Sequence, residues 1–330
     1  MSLFQSKAWQ DAWWNVWGNT PGFQRISEGK AGSSGVYLDC YRLFRCLPVR
    51  CFQFVGTNYR RLSTPRTEYN TFCPDPRSHQ ERELAISEML DVEAWGEAVF
   101  RDVREDAPDL QVMEKLAAGR GWLVRSVSTD RAYAIDTRGR FEDYLANLGR
   151  NTRLKLFNRR KLLAEGGSIE LQNAWPNRVD EFFELLNRFH RQRWGGDCFN
   201  GHSLRFHKQF LRQVGEEGGA PDLSLLTCNG QVISVLYNVC YKGNVYNLQS
   251  GYIEDFHRKI ALGTLHLGYS IESAFRNPGV YGFDMLAGTG KNDNYKVRLA
   301  TLSVGLQSIM LVRSPLLKAL YRLKDRLTSG

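Results

Sequence analysis

The sequence predicts an α/β (α+β) fold, a mixed sheet flanked by helices, and three observations predict it. The first is the order of runs in the C-terminal half, which reads β-α-α-β-β-β-α-β-loop-β from Ser168 to Val312. The second is that its middle strands are joined by tight turns: Asn229-Gly230 is a two-residue hairpin signal, and Lys242-Gly243-Asn244 makes another. The third is the helix "NRVDEFFELLNRFHRQRW", whose Val179, Phe182, Phe183, Leu186 and Phe189 share one side and give it a face to bury.

The remaining elements follow in chain order. Trp9, Trp13 and Trp17 recur every four residues, which puts three indoles on one face of an opening helix. "GVYLDCYRLF" and "CFQFV" read as strands, and "RLSTPRTEYNTFCPDPRSH", with three prolines, as a loop. "WGEAVFRDV" is a strand, "DLQVMEKLAAGRG" a helix closed by glycine, and "WLVRSVS" and "AYAID" two further strands. Phe141, Leu145, Leu148, Thr152 and Leu156 recur at three- and four-residue spacing and predict one long helix over about 141–165. Between Arg150 and Lys161 that helix carries six basic residues and no acidic one. This stretch is a solvated face or a surface that meets an anion.

After it come the strand "SIELQ", the helix with Phe182, a second helix "SLRFHKQFLRQVGEEGG", and the strands "DLSLLTC", "QVISVLYNVCY" and "NVYNLQSGY". A loop "HRKIALGT", a helix, the strand "VYGFDML", a glycine-rich loop and the strand "TLSVGLQSIMLV" complete the order. No clear internal repeat is visible. The tail, about 314–327, is basic and amphipathic, so it suits either a closing helix packed on its own domain or a membrane surface.

The bulk properties bound the function. The chain has 330 residues, 42% apolar and 24% charged, which fits two globular domains or one large one. No run approaches the roughly 20 apolar residues that span a bilayer, and the N-terminus lacks a signal-peptide pattern, so the expected location is cytoplasmic. The seven cysteines are an odd number and contain no C-x-x-C pair, which reads as free, buried thiols. The six histidines show no ligand spacing, and no metal is expected. A net charge of +9 suggests an anionic partner: a phosphorylated cofactor, a nucleic acid or a membrane surface. There is no G-x-S-x-G elbow, no P-loop and no H-E-x-x-H.

The loop "HRKIALGT" between a strand and a helix has its own physics. A helix N-terminus leaves N–H groups unpaired and carries positive partial charge, so it binds pyrophosphate. Gly263 lets backbone approach a ligand, and His257, Arg258 and Lys259 add charge.

The element order with this loop resembles the GNAT acyltransferase fold, whose loop Q/R-x-x-G-x-G/A is matched by Arg258-Lys259-Ile260-Ala261-Leu262-Gly263. Ala261 stands where the first glycine is usual. The longer stretches "YLANLGRNTRLKLFNRRKLL", "NRFHRQRW", "LQSGY", "ALGTLHLGYSIESA" and "GFDMLAGTGKNDNYKVRLA" are similar to GNAT proteins associated with cellulose and exopolysaccharide biosynthesis (CelD/BcsL type). These in turn resemble FemABX peptidyltransferases, with two tandem GNAT-like subdomains. The resemblance implies a degenerate first subdomain over 1–138 and a better-conforming second over 139–330.

It also implies residue roles. Gln249, Ser250, Gly251 and Tyr252 line the splayed strand, and Arg258, Lys259, Ala261, Gly263 and Thr264 hold the cofactor. His190, Arg193 and Trp194 match an H-x-x-R-W element, and Asp197 follows it as a further substrate contact. Asp284 and Gly288 match D-F-L-x-G, while Tyr295 and Lys296 match a late Y-K pair. The spacer "GTGKND" before that pair is longer than usual. Asp284 and His190 are candidates for the base, and Tyr295 for protonating the leaving thiolate. The implied donor is acyl-CoA, acetyl-CoA first, without a metal. The implied acceptor is a small molecule or glycan: a sugar, polysaccharide or glycolipid precursor in envelope or exopolysaccharide synthesis. Two alternatives stay open. One is a FemABX-like aminoacyl transferase using aminoacyl-tRNA, with the basic stretch meeting RNA. The other is a non-catalytic interaction module, held through the tail at the inner face of the membrane.

Overall fold

A computed structural model describes residues 1–29, 32–73, 78–288 and 293–328. The chain forms two compact units: unit 1 is Met1–Asp130 with Val304–Gly330, and unit 2 is Arg131–Ser303. Against the sequence boundary at 138/139, β5 (Leu123–Asp136) passes from one unit into the other, and the C-terminal segment belongs to unit 1. The sequence reads two strands there because the polar "STD" interrupts the apolar pattern. The strand is continuous, its first half alternating exposed and half-buried residues.

In unit 1 the strands β1 (Phe23–Ser27), β2 (Val36–Leu43), β3 (Leu47–Phe54), β4 (Glu97–Arg104), β11 (Leu302–Val312) and β5 lie in the order β1-β2-β3-β4-β11-β5. Helices α1 (Lys7–Trp17), α2 (His79–Asp91), α3 (Pro108–Gly119) and α11 (Pro315–Thr328) belong to it. The indole face of α1 is buried as its spacing requires: Trp13 sits 5.5 Å from the Tyr37 ring. Phe52, Phe54, Phe100, Ile86 and Met113 form a core between the sheet and α2 and α3.

Pairing in β3 and β4 is parallel and lasts three residues, Cys51↔Glu97 to Gln53↔Val99. Beyond that the strands part, and the loop after β3 lies along β4. Asn70 N–H donates to the Asp102 carbonyl at 3.1 Å and Asn70 Nδ2 to the Arg101 carbonyl at 2.9 Å. The loop is anchored by a buried ion pair between Arg82 and Asp109, whose carboxylate also accepts from Thr71 Oγ1 and Phe72 N–H.

In unit 2 the second half of β5 continues into the order β5-β10-β9-β8-β7-β6, with β6 (Ile169–Asn173), β7 (Ala220–Cys228), β8 (Gln231–Tyr241), β9 (Asn244–Tyr252) and β10 (Gly282–Ala287). Strands β6 to β9 form an antiparallel meander; β10 is parallel to β9 and antiparallel to β5. The Asn229-Gly230 and Lys242-Gly243 turns carry the positive φ angles that tight hairpins need. Helices α7 (Val179–Trp194) and α9 (Leu262–Arg276) pack on this sheet, as does α8 (Gly201–Val214).

The predicted long helix is broken into α4 (Phe141–Asn147), α5 (Arg150–Arg153), a π-helical turn Leu154–Asn158 and α6 (Arg160–Glu165). Leu148 is extended (φ −73°, ψ 141°) ahead of Gly149, which ends the first segment. The π turn then admits an extra residue and brings the Leu156 backbone against α9. Gly268 makes this contact possible, since a Cβ there would lie 2.1 Å from the Leu156 carbonyl oxygen. Two helices escaped the sequence reading: α2, whose polar run lacks a strong apolar stripe, and α10 (Asp293–Leu299), hidden in an Asn- and Gly-rich stretch.

All seven cysteines are free. Cys51, Cys73 and Cys228 are buried, Cys40, Cys198 and Cys240 half-buried, and Cys46 is exposed, against the expectation of burial throughout. No described helix is long and apolar enough to cross a membrane.

Candidate active site

The site begins where β9 and β10 part. Their parallel register holds from Asn244↔Gly282 to Tyr246↔Asp284 and then stops. Both strands carry an irregularity just beyond. In β9 Leu248 is an extra residue opposite β8, between the pairs Asn238↔Asn247 and Tyr237↔Gln249. In β10 Met285 and Leu286 together stand opposite Tyr133 of β5, one residue in excess, and Leu286 takes φ +60°. Bulges bend the strand that carries them, so two placed here drive the strands apart. A left-handed leucine costs about 1–3 kcal/mol and persists only where its surroundings hold it.

Two predicted site residues do that holding. Asp284 Oδ1 accepts from Leu286 N–H at 2.8 Å. Lys296, from α10, is buried, and its ammonium donates to the Leu286 and Ala287 carbonyls at 3.0 and 2.9 Å. A buried ammonium needs such acceptors. Both side chains therefore clamp the kink of β10. Gly288 follows directly, and the "GTGKND" spacer lies largely outside the described residues.

The open edge of β9 can be read from alternation. Ile253 N–H donates to the Ile233 carbonyl of β8, so Gly251 and Gln249 face β8 while Ser250 and Tyr252 face the gap. Ser250 N–H has one partner among the described residues, the side-chain oxygen Oε1 of Gln249 at 3.0 Å. The Gln249 amide nitrogen lies 3.2 Å from Cys198 Sγ, whose thiol burial pushes up to about 11. Gly251 is small because α7 packs on it: a Cβ would meet Leu186 Cδ1 at 3.0 Å and Phe189 Cβ at 3.2 Å.

Sequence reasoning missed the support behind this strand. His266 of α9 is fully buried, with Nδ1 2.9 Å from Ser234 Oγ and Nε2 3.0 Å from Ser224 Oγ. Ser234 Oγ donates to the Gly251 carbonyl at 3.2 Å. That leaves Ser234 Oγ to accept from Nδ1–H, and Nε2 to accept from Ser224, which fixes the tautomer. Burial lowers the His266 value to about 3, so the ring is neutral and ties α9 to β9. The only sequence signal was a histidine in an otherwise apolar run.

A second group gathers at the end of β9. Arg193 Nη1 donates to the Tyr252 hydroxyl at 2.6 Å, its Nε lies 3.4 Å from Glu254, and its guanidinium stands 4.9 Å from the Trp194 ring and 5.1 Å from the Tyr252 ring. The Tyr252 ring lies on the first turn of α9, where a Cβ on Gly263 would meet it at 2.4 Å. The space that a glycine leaves at 263 is thus taken by Tyr252. Burial raises the Tyr295 phenol above its ordinary value; Tyr252 adds to this and Arg193 offsets it. The phenol therefore stays protonated at neutral pH.

The first turn of α9 starts at Ala261 without a side-chain cap and without an acidic residue. Leu265 N–H reaches the Ala261 carbonyl; the N–H groups of Leu262, Gly263 and Thr264 precede it. Arg258 and Lys259 are exposed in the turn just before, which is held by Ile260 N–H on the His257 carbonyl at 2.9 Å. These groups fit a pyrophosphate.

The other predicted residues lie at the end of α7 and just beyond it. His190 Nδ1 lies 2.9 Å from the Gly196 carbonyl and so closes the end of α7. Trp194 is 62% exposed, and Asp197 pairs with Arg191. The basic stretch is divided: Arg150, Lys155 and Lys161 are exposed, whereas Arg160 lies between the Phe157 and Tyr269 rings and pairs with Glu272.

Residues 150–297 match the acetyltransferase (GNAT) domain family. No curated protein matches the chain. Among solved structures it is similar to FemX, at 12% identity over 98% of this chain and 94% of that one, with a TM-score of 0.59. A conserved protein of unknown function from Bacteroides thetaiotaomicron VPI-5482 matches at 12% identity over 92% and 90%, TM-score 0.54. L-PGS from Bacillus licheniformis matches at 11% identity over 99% and 98%, TM-score 0.51. At these identities the likeness concerns the fold, which is GNAT-like.

Proposed function

With a GNAT-like fold as the premise, we propose that the chain is an acyl-CoA-dependent N- or O-acyltransferase, acetyl-CoA being the first donor to test. Its proposed acceptor is a sugar, polysaccharide or glycolipid precursor of envelope or exopolysaccharide synthesis, as the sequence resemblance to the CelD/BcsL type suggests. The observation that carries the donor reading is the combination, inside unit 2, of an open strand edge at Ser250 with an uncapped helix N-terminus at Leu262.

Bound acyl-CoA supplies an activated thioester carbonyl. The chain's own groups do the rest. The α9 N-terminus with Arg258 and Lys259 holds the pyrophosphate. Ser250 N–H, released from the Gln249 amide, donates to the carbonyl oxygen as charge develops there. Tyr295, kept protonated, gives its proton to the leaving thiolate. Arg193 holds Tyr252 beside Tyr295. Asp284 and His190 are the groups to test for removal of the acceptor proton.

Calorimetry with CoA tests the donor. Arg258→Ala/Lys259→Ala should weaken binding about tenfold or more, since two cations flank the phosphates. Gly263→Glu should abolish it, adding charge and displacing Tyr252. Unchanged affinity in both variants rules out the donor site.

A second reading, aminoacyl transfer from aminoacyl-tRNA, is favoured by the fold likeness to FemX and by the exposed Arg150, Lys155 and Lys161. It requires RNA binding that weakens steeply with salt and that the triple alanine variant at these positions reduces.

For location, we propose peripheral association with an anionic membrane through α11. Leu317 and Tyr321 bury one side of this helix on unit 1. Leu316, Leu320, Leu323 and Leu327, spaced 4-3-4, remain 54, 36, 55 and 74% exposed in one line. Arg322 and Arg326 are exposed near this line. Like charges would face each other if two copies paired here, whereas acidic lipid complements them. Flotation with phosphatidylglycerol vesicles should fail for Leu323→Ser/Leu327→Ser; a concentration-dependent dimer without flotation would point to self-association instead.

A further inference from the structure

Unit 1 has a cavity of its own where β3 and β4 part. It measures about 400 Å³ and is lined by residues 58–64 and by Arg101. Three guanidiniums and no carboxylate line it. Two are held from behind. Arg60 lies 3.4 Å from the buried Glu97 and donates to the Tyr321 hydroxyl; Arg61 pairs with the buried Asp39 and donates to the Pro21 carbonyl at 2.8 Å. Arg101 differs. Its side chain forms no hydrogen bond or ion pair among the described residues, and its Nε is shielded from solvent without a partner.

The backbone accounts for Arg101's position. Arg101 and Asp102 of β4 together stand opposite Ser308 of β11, one residue in excess, and Asp102 takes φ +51°. Bulges of this kind re-aim a side chain beside a site. The cost is held in place by Ser308 Oγ, which accepts from Asp102 N–H at 3.0 Å, and by Arg66, whose guanidinium binds the Asp102 carboxylate at 2.7 and 3.0 Å. The charges of Arg60 and Arg61 are balanced by Glu97 and Asp39, so Arg101 leaves the cavity with about one uncompensated positive charge.

We infer that this cavity binds a phosphate-bearing ligand, separate from the donor site of unit 2. Guanidiniums converging on one volume are suited to oxyanions, and phosphate offers enough oxygens for several of them together with the Ser63 and Thr64 hydroxyls. The volume lies within the range of small-ligand sites. Fixed pairing behind Arg60 and Arg61 keeps the forks in place when the ligand is absent, so little order is lost on binding.

The test is made on the full chain carrying Arg258→Ala/Lys259→Ala and Leu323→Ser/Leu327→Ser, so that neither the unit 2 loop nor the exposed face of α11 contributes. Inorganic pyrophosphate is titrated calorimetrically at low salt, with phosphatidylglycerol vesicles as a second arm. One pyrophosphate site is expected, weakened at least tenfold by Arg101→Gln and partly kept by Arg101→Lys, with the melting temperature of both variants near that of the parent. Binding of vesicles alone, lost in Arg101→Gln, would assign the phosphate to a lipid headgroup and still support the site. Absence of binding in both arms, or binding that Arg101→Gln leaves unchanged, overturns the inference.

Discussion

In unit 1, β3 and β4 run parallel from Cys51/Glu97 to Gln53/Val99; in unit 2, β9 and β10 do so from Asn244/Gly282 to Tyr246/Asp284. Each pair then separates, and the second strand of each carries a two-residue bulge with one left-handed residue, Asp102 or Leu286. The surroundings of the two gaps differ. In unit 1 the loop of Asn70 bonds the free edge of β4, and the following helix α2 has a capping box in which Ser78 and Glu81 satisfy its N-terminus. In unit 2, among the described residues, no other segment bonds the free edge of β9, and α9 starts without a cap. The same backbone device thus has its strand edge bonded by the protein's own loop in unit 1, whereas in unit 2 that edge is bonded by no other segment among the described residues. This is why we propose unit 2, and not this strand edge of unit 1, for the donor.

The comparison can be broken most forcefully at the anchor of the unit 1 loop. Asp109→Ala removes the carboxylate that balances the buried Arg82 charge, so a loss of about 3–5 kcal/mol in urea unfolding is expected. A change below about 1 kcal/mol would mean that the loop is not held by this pair.

Acid should separate the units next. Unit 2 contains two fully buried histidines, His207 and His266, both lowered by burial to about 3, whereas the one histidine of unit 1, His79, is exposed. The unfolded chain takes up protons near the ordinary value of 6.5 and the folded chain does not until about 3. Stability is therefore lost as pH falls from about 6.5 towards 3, by about 1.4 kcal/mol per pH unit for each histidine. Hydrogen exchange followed by mass spectrometry at pH 7 and pH 5 should show protection falling first in β7, β8 and α9; uniform loss in both units would contradict it.

Lys296→Met tests the kink of β10. Losing an ammonium bonded to two carbonyls should cost about 1.5–3 kcal/mol and reduce turnover with little change in CoA affinity. An equal loss in affinity would move Lys296 into donor binding. The smallest effect is expected at Ser78→Ala, about 1 kcal/mol of stability from the lost cap. CoA affinity should stay as it was, and a measurable drop would link α2 to the donor site.

Much of unit 2 was legible because its turns carry strong local signals. Asn229-Gly230 and Lys242-Gly243 fix the meander, and the α7 stripe from Val179 to Phe189 is regular. The break at Leu148-Gly149 was not legible, since the stripe Phe141, Leu145, Leu148 continues smoothly across it. What decides it is a tertiary contact, Leu156 on Gly268. The parting of β9 and β10 was expected only from the resemblance, because a bulge such as Leu248 has no sequence mark. Gly263 was read as access for a ligand, and the structure shows the Tyr252 ring packed against it; Gly251 is packed against by Leu186 and Phe189. Arg101 left no trace, as one arginine in a strand-like run looks like any solvated residue.

The Gln249 side chain has a kinetic meaning. Its side-chain oxygen accepts from Ser250 N–H, so under the proposed acyl transfer a donor carbonyl would have to displace it. A hydrogen bond worth about 0.5–1.5 kcal/mol keeps the latch closed over open by roughly 2- to 12-fold, and apparent donor affinity falls by the same factor. In exchange, on that reading, Ser250 N–H would stay satisfied whenever no carbonyl is there to claim it.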